Sequence, residues 1–193
     1  MIKFWYNFLY FLLWPVQKIV YPFRVTGREN LPLSGAILCA NHTQLIDAPL
    51  AFFAFGRKYP VHFMGKAELF KIPLLGPILR AMGAFPVNRG ETDITSARHV
   101  IKLLKDEERV MMFPEGTRVS EGDQAEAKTG AIRYSLKMKV PIVPMYISGN
   151  KKPFRRVIIN IGKPFFPDKP VGKNYEPITD DLMNRIFALE KVN

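Results

Sequence analysis

From residue 31 onward the chain alternates between short apolar runs bounded by glycine or proline and longer stretches whose apolar positions recur with a helical period. The short runs predict strands over residues 36–40, 61–64, 84–87, 110–113, 142–147 and 157–161. The longer stretches predict helices over residues 48–55, 70–82, 94–107 and 128–137, and a last helix over 180–191. In the third of these, Ile94, Ala97, Ile101 and Leu104 form one stripe, and Thr92 is placed to cap it. This alternation predicts an α/β fold, a single layered domain with a central mixed β-sheet flanked by helices. The predicted division is a helical segment over residues 1–30 and one domain over residues 31–193.

Residues 4–14 depart from the pattern, because Phe4, Trp5, Tyr6, Phe8, Tyr10, Phe11 and Trp14 stand among leucines, with Lys3 and Lys18 on either side. No small-residue cleavage site follows: Trp14-Pro15 and Gln17-Lys18 come next, unlike a signal peptide. A helix over uncharged residues 4–17 measures about 21 Å at about 1.5 Å per residue, short of the roughly 30 Å hydrocarbon core of a bilayer. Tryptophan and tyrosine favour the headgroup boundary, so the expected structure is an aromatic-rich N-terminal membrane-interfacial helix lying in one leaflet. The competing expectation is a helix packed on its own domain, since aromatic rings fill cores readily.

Charge narrows the partners without choosing one. Lys and Arg number 28 against 17 Asp and Glu, a net charge of +11, which calls for an anionic membrane, a phosphorylated substrate, an acidic carrier protein or nucleic acid. Zinc-finger spacing and an RNP-like aromatic motif are both missing, so no nucleic acid partner is expected. A single cysteine, Cys39, excludes an intramolecular disulfide, and without a His/Cys cluster no metal is expected.

Two segments carry chemistry. The first is Asn41-His42-Thr43-Gln44-Leu45-Ile46-Asp47, directly after the apolar run that ends at Ala40. On a continuous helix a five-residue offset sets side chains about 140° apart, so His42 and Asp47 can meet only across a strand-to-helix turn. Asp47-Ala48-Pro49 reads as such a start, with a capping carboxylate and a proline in the first turn. The pair would then form the His-Asp half of a triad, Asp47 orienting the imidazole and His42 taking a proton from a substrate hydroxyl. Taken alone this spacing is weak, and a structural histidine explains it as well.

The second segment is Phe113-Pro114-Glu115-Gly116-Thr117-Arg118, again after an apolar run. Gly116 permits a close turn, and Arg118 offers a planar fork suited to a phosphate monoester. On local chemistry alone a surface turn with a solvated arginine is the favoured account. His62 falls within a predicted strand and His99 opposite the Ile94 stripe, and neither has an acid at this spacing. Cys39 lies inside an apolar run, where a buried, inert thiol is expected rather than a nucleophile.

Together the two segments resemble the first and third blocks of the glycerolipid acyltransferases, the family of 1-acylglycerol-3-phosphate acyltransferases. A Pro-Glu-Gly-Thr-Arg run arises by chance in a chain of this length with probability ~10⁻⁴ or less, which makes the match specific. Between them Lys66, Glu68, Leu69, Pro73, Gly76, Gly83 and Arg89 resemble the second block, and Val140-Pro141-Ile142-Val143-Pro144 resembles the fourth. The blocks occur in family order over residues 31–149; Val119 and Ala127 depart from the pattern, which bears on acceptor detail.

The resemblance implies His42 as general base and Asp47 as its orienting partner. It implies Glu115, Gly116, Thr117 and Arg118 as acceptor-binding residues, with Arg89 and Lys66 as further contributors. The implied reaction moves a fatty acyl group from acyl-ACP or acyl-CoA, as cosubstrate, to the sn-2 hydroxyl of lysophosphatidic acid, with no resident cofactor. Implied partners are anionic membrane lipids and the acyl carrier protein or coenzyme A thioester donor. The implied location is the cytoplasmic face of a bacterial inner membrane, peripheral or monotopic. Another lysophospholipid, a lyso-aminolipid or glycerol 3-phosphate remains open as acceptor, as does a noncatalytic membrane-binding protein. The run Leu69, Phe70, Ile72, Leu74, Leu75, Ile78 and Leu79 offers apolar surface for an acyl chain, and an ordinary buried helix face explains it equally well.

Overall fold

The computed structural model describes residues 2–88, 93–119, 126–149 and 151–192. Six helices, α1 (Ile2–Val20), α2 (Asp47–Phe55), α3 (Leu75–Ala81), α4 (Ile94–Lys105), α5 (Gly130–Met138) and α6 (Glu176–Ala188), surround seven strands among the described residues. The strands are β1 (Phe23–Thr26), β2 (Ala36–Ala40), β3 (Val61–Lys66), β4 (Ala84–Val87), β5 (Arg109–Met112), β6 (Ile142–Ile147) and β7 (Val157–Ile161). They form one sheet in the order β1-β7-β6-β2-β5-β3-β4. All neighbours run parallel except β6 and β7, so the sheet is mixed, as the pattern predicts.

β2 lies at the centre, and all five of its residues are buried. Side chains alternate across a strand, so Ala36, Leu38 and Ala40 join one core and Ile37 and Cys39 the other. α1 and α2 cover the first face; α4, α5 and α6 cover the second. Cys39 is fully buried, and burial pushes its thiol far above the usual range, so it remains a neutral packing group.

Three local expectations are corrected. β1, with only four residues at the sheet edge, pairs Val25 with Ile159 of β7, so residues 1–30 supply a strand to the sheet as well as a helix. The helix expected over residues 70–82 is split into a 3₁₀ turn, Ala67–Lys71, and the short α3, with Leu74 at φ 66° between them. Pro73 removes a donor and disfavours helical backbone at Ile72, while Gly76 lies so close to Phe70 that a Cβ would come within 2.3 Å of its carbonyl oxygen. Ile72 and Leu74 are exposed, so this run is not an ordinary buried helix face. The cap of α4 is Asp93, whose Oδ1 accepts from Ser96 N at 2.9 Å; Thr92 lies outside the described residues.

α1 has two different faces. Tyr6 and Leu9 are buried, and Tyr10 and Trp14 lie over Phe53 with ring centroids 5.3 and 5.9 Å away. On its outer side Phe4, Phe8, Phe11, Leu12, Val16 and Ile19 are exposed. Among the described residues no helix is long and apolar enough to cross a membrane.

Candidate active site

Parallel β2, β5 and β6 end on the same edge of the sheet, and the loops leaving them converge there, as ligand-binding loops do in open α/β sheets. His42 follows β2, Glu115 follows β5 and Lys151 follows β6. Asn41 begins this framework: its amide donates to Ile147 O at 2.9 Å and accepts from Ile147 N at 2.8 Å, which binds the β2 exit to the end of β6.

His42 is almost fully buried, and its Nδ1 lies 2.9 Å from Asp47 Oδ2. The same carboxylate oxygen accepts from Thr43 N and Gln44 N, each at 2.8 Å. Ile46, not Asp47, occupies the cap position of α2. Asp47 is the first helical residue, and its carboxylate folds back over the turn instead of capping forward. A carboxylate there also faces the positive end of the helix dipole. With Nδ1–H donating to Asp47, Nε2 carries the lone pair and can accept a proton.

Asp47 has no solvent exposure, and its second oxygen, Oδ1, lies 2.9 Å from Lys151 Nζ. Burial on its own raises the carboxyl. The hydrogen bond with His42 and the charge of Lys151, with the Gln44 N–H, outweigh it and hold Asp47 below the usual carboxylate range. Lys151 also donates to Thr43 Oγ1 at 2.7 Å, and its side chain is fully enclosed. By composition it belongs to a basic surface stretch with Lys152, Arg155, Arg156, Lys163, Lys169 and Lys173. Those six are exposed and Lys151 is not.

The second segment is built onto the first. Phe113 stacks on the His42 ring with centroids 4.1 Å apart and planes 17° apart, and Val119 N donates to His42 O at 2.9 Å. Glu115, grouped by resemblance with the acceptor-binding residues, turns inward: its Oε2 accepts from His42 N at 2.6 Å, and it is 6% exposed. Burial, with a smaller contribution from the Asp47 charge, pushes this carboxyl up to about 7 against the opposing His42 hydrogen bond. Gly116 has φ 67°, and a Cβ there would come within 2.6 Å of the Lys128 side chain.

Thr117 and Arg118 follow Gly116 into solvent, with Lys128 exposed across the turn. Lys66 is exposed at the end of β3, two strands from β2, and pairs with Glu68 at 3.6 Å. Arg89 lies outside the described residues. A cavity of about 320 Å³ opens beside Phe113, with Met64, Val87, Met112, Pro114, Ala131 and Tyr134 in its walls and Lys128 at its edge. The site therefore joins a buried, oriented imidazole to an apolar cleft and a cationic rim. That combination can take a proton from a hydroxyl next to an anionic group.

A buried His-Asp pair at the carboxyl ends of parallel strands in a mixed sheet flanked by helices makes this an α/β protein with a group at its loop edge suited to acid-base chemistry. The family described as Acyltransferase matches residues 22–148, and the chain belongs to it. A 1-acyl-sn-glycerol-3-phosphate acyltransferase of Bacillus subtilis (strain 168) is 33% identical over 177 residues, covering 86% of this chain and 87% of that protein. One from Borreliella burgdorferi is 32% identical over 142 residues, 72% of this chain and 56% of that protein. The crystal structure of the 1-acyl-sn-glycerophosphate (LPA) acyltransferase from Thermotoga maritima superposes with a TM-score of 0.68 at 24% identity, over 100% of this chain and 78% of that one. That likeness shows the α/β fold.

Proposed function

We propose that the protein transfers a fatty acyl group from a thioester, acyl-ACP or acyl-CoA, to the sn-2 hydroxyl of 1-acylglycerol 3-phosphate, giving phosphatidic acid for phospholipid synthesis. The observation that carries this reading is the His42–Asp47 pair at 2.9 Å, with the exposed Arg118 on a turn bonded directly to the His42 backbone. Similarity to relatives named for this reaction supports the choice of acceptor.

His42 Nε2 takes the proton of the acceptor hydroxyl as its oxygen attacks the thioester carbonyl. Asp47 holds the ring in the required tautomer and offsets the imidazolium charge. The tetrahedral intermediate collapses with cleavage of the carbon–sulfur bond, and the imidazolium returns the proton to the departing thiolate. The hydroxyl attacks directly, so no acyl-enzyme forms. Arg118 holds the acceptor phosphate bidentately, Thr117 adds a hydroxyl donor, Gly116 lets the backbone approach, and Lys66 and Arg89 contribute charge at the rim. Glu115 acts from beneath, anchoring the His42 backbone.

The exposed aromatic face of α1 supports a helix lying in the interfacial region of one leaflet, and so a peripheral or monotopic protein; the location proposed is the cytoplasmic face of a bacterial inner membrane. Lys152, Arg155 and neighbouring cations face anionic lipid and an acidic carrier protein. In this division α1 supplies the membrane contact, and the acyltransferase domain of residues 31–193 takes in β1 as well.

The test is to incubate the protein with anionic vesicles, lysophosphatidic acid and a long-chain acyl thioester, following free thiol and phosphatidic acid together. Equal amounts of both products are expected, with a loss of about 10²–10⁴-fold in His42→Ala. Turnover with another lysolipid and none with lysophosphatidic acid would overturn the acceptor. Vesicle binding with no turnover on any acceptor would overturn catalysis altogether.

A further inference from the structure

We propose that Lys151 is a positioning residue for the His42–Asp47 pair: its enclosed ammonium fixes the Asp47 carboxylate and balances its charge, so that His42 remains free to accept a proton. This rests on His42 acting as the base, as proposed above.

The geometry is specific. Asp47 Oδ2 serves His42 Nδ1, Thr43 N and Gln44 N, which leaves Oδ1 as the only free end of the carboxylate. Lys151 Nζ meets that oxygen at 2.9 Å and Thr43 Oγ1 at 2.7 Å. Three hydrogen bonds at Oδ2 set the plane in which the carboxylate meets the imidazole, and the ion pair at Oδ1, which is not aligned as a hydrogen bond, holds the far oxygen by charge and closeness. The Lys151 contacts also bind the loop after β6 to the loop after β2, the two loops that carry the pair and its support.

The charge has a separate effect. An ammonium wholly removed from water is costly, and an apolar side chain of similar size would fill the position without that cost. Here the charge is directed at the oxygen that the imidazole does not use. A buried carboxylate beside an imidazole favours the charged ring, and a cation on the far side of the carboxylate opposes that bias. With Lys151 beside it, Asp47 orients the ring without fully imposing its negative charge. Among the described residues three titratable groups bear on His42: Asp47 from α2, Lys151 from the loop after β6 and Glu115 from the segment after β5. Glu115, whose carboxyl lies at about 7 and is raised in part by the Asp47 charge, adds its own ionisation to the pH profile, so each variant is also measured in a Glu115→Gln background to assign the limb to His42.

The test compares kcat and kcat/KM against pH for wild type, Lys151→Met, Lys151→Arg, Thr43→Val and His42→Ala in anionic vesicles, with folding checked by thermal unfolding. In Lys151→Met the acidic limb of kcat/KM is expected to move to higher pH by about one unit, with kcat down at least about tenfold and acceptor KM within about twofold. Lys151→Arg, which keeps the charge, should return the limb to the wild-type position even where kcat is only partly recovered. Thr43→Val removes one of the two anchors of the ammonium, so it should shift the limb in the same direction by less; it provides the readout if Lys151→Met does not fold. An unmoved limb in both Lys151→Met and Thr43→Val, or an equal shift in Lys151→Met and Lys151→Arg, overturns the proposal while the role of His42 stands. Full activity in His42→Ala overturns the role of the pair, and this proposal with it.

Discussion

The two halves of the candidate site are held in opposite ways. Around Asp47 the polar contacts are internal: His42, Thr43 and Gln44 meet one oxygen of a carboxylate that has no solvent exposure, and the Lys151 ammonium forms an ion pair with the other. In the other half Thr117 and Arg118 are open to solvent, and among the described residues Arg118 makes no ion pair. The first half is organised before any substrate arrives; the second has capacity left for one. A general base gains from a fixed tautomer, whereas a phosphate-binding arginine that already held a carboxylate would have to give it up on binding. Glu115 and Val119 connect the halves, so the open rim is displayed from a rigid base.

The sharpest break of this contrast is Asp47→Asn, which strikes the buried half alone. It removes the negative charge and puts an NH2 donor at one of the two positions, facing either the His42 ring or the Lys151 ammonium, and it leaves the enclosed Lys151 charge without a counter-charge. Turnover is expected to fall on the order of 10³-fold, and unfolding free energy by about 3–5 kcal/mol. Denaturant titration beside the vesicle assay checks both, and an unchanged stability would mean the Asp47–Lys151 pair is not the enclosed unit described here.

Arg118→Ala should do the reverse, raising acceptor KM by about 10-fold or more with kcat and stability nearly unchanged, since a charged hydrogen bond to phosphate contributes about 1.5–3 kcal/mol. A fall in kcat with KM unmoved would place Arg118 outside acceptor binding. Added salt should raise the wild-type KM and leave that of the variant flatter.

Glu115 sharpens the comparison through pH. Its carboxyl lies at about 7 in the fold against an ordinary 4.5, so between those values the folded state holds a proton that the unfolded chain has released. The resulting contribution to stability is complete below pH 4.5 and is lost as pH rises through about 7. Asp47 has the opposite sign: its contribution is present above its ordinary 3.8 and is lost on acidification below that value. Glu115→Gln should therefore flatten the decline in melting temperature over the upper window and leave acid unfolding in place, which a pH series of thermal melts would show.

Lys66→Ala is the mildest change. Lys66 is exposed and sits beside Glu68, so less than about a twofold change in acceptor KM is expected. A tenfold rise would bring the end of β3 into the phosphate site.

Hydropathy alone exposed most of the framework because strand and helix periods differ, and the buried central strands are continuous apolar runs. It missed β1, whose Phe23-Arg24-Val25-Thr26 is short and half-polar at the sheet edge, and it overran the break at Pro73. In the site, the spacing from His42 to Asp47 and the Phe113–Arg118 run were legible because each is local, a few residues on one loop. Lys151 had no such signal. It stands among cations of a surface stretch, 104 positions beyond Asp47, and only its enclosure against that carboxylate distinguishes it.

The sequence by itself determined the layered α/β class, which follows from periodicity, and it supplied the candidate base with its acid and the rim arginine, each a short local run that the family resemblance made specific. Tertiary structure alone decided which lysine is buried, that Glu115 faces inward, and that α1 packs one aromatic face while leaving the other open. Each of those depends on which loops the sheet order β6-β2-β5 brings together, and a carboxyl or an ammonium takes its character from whatever closes over it.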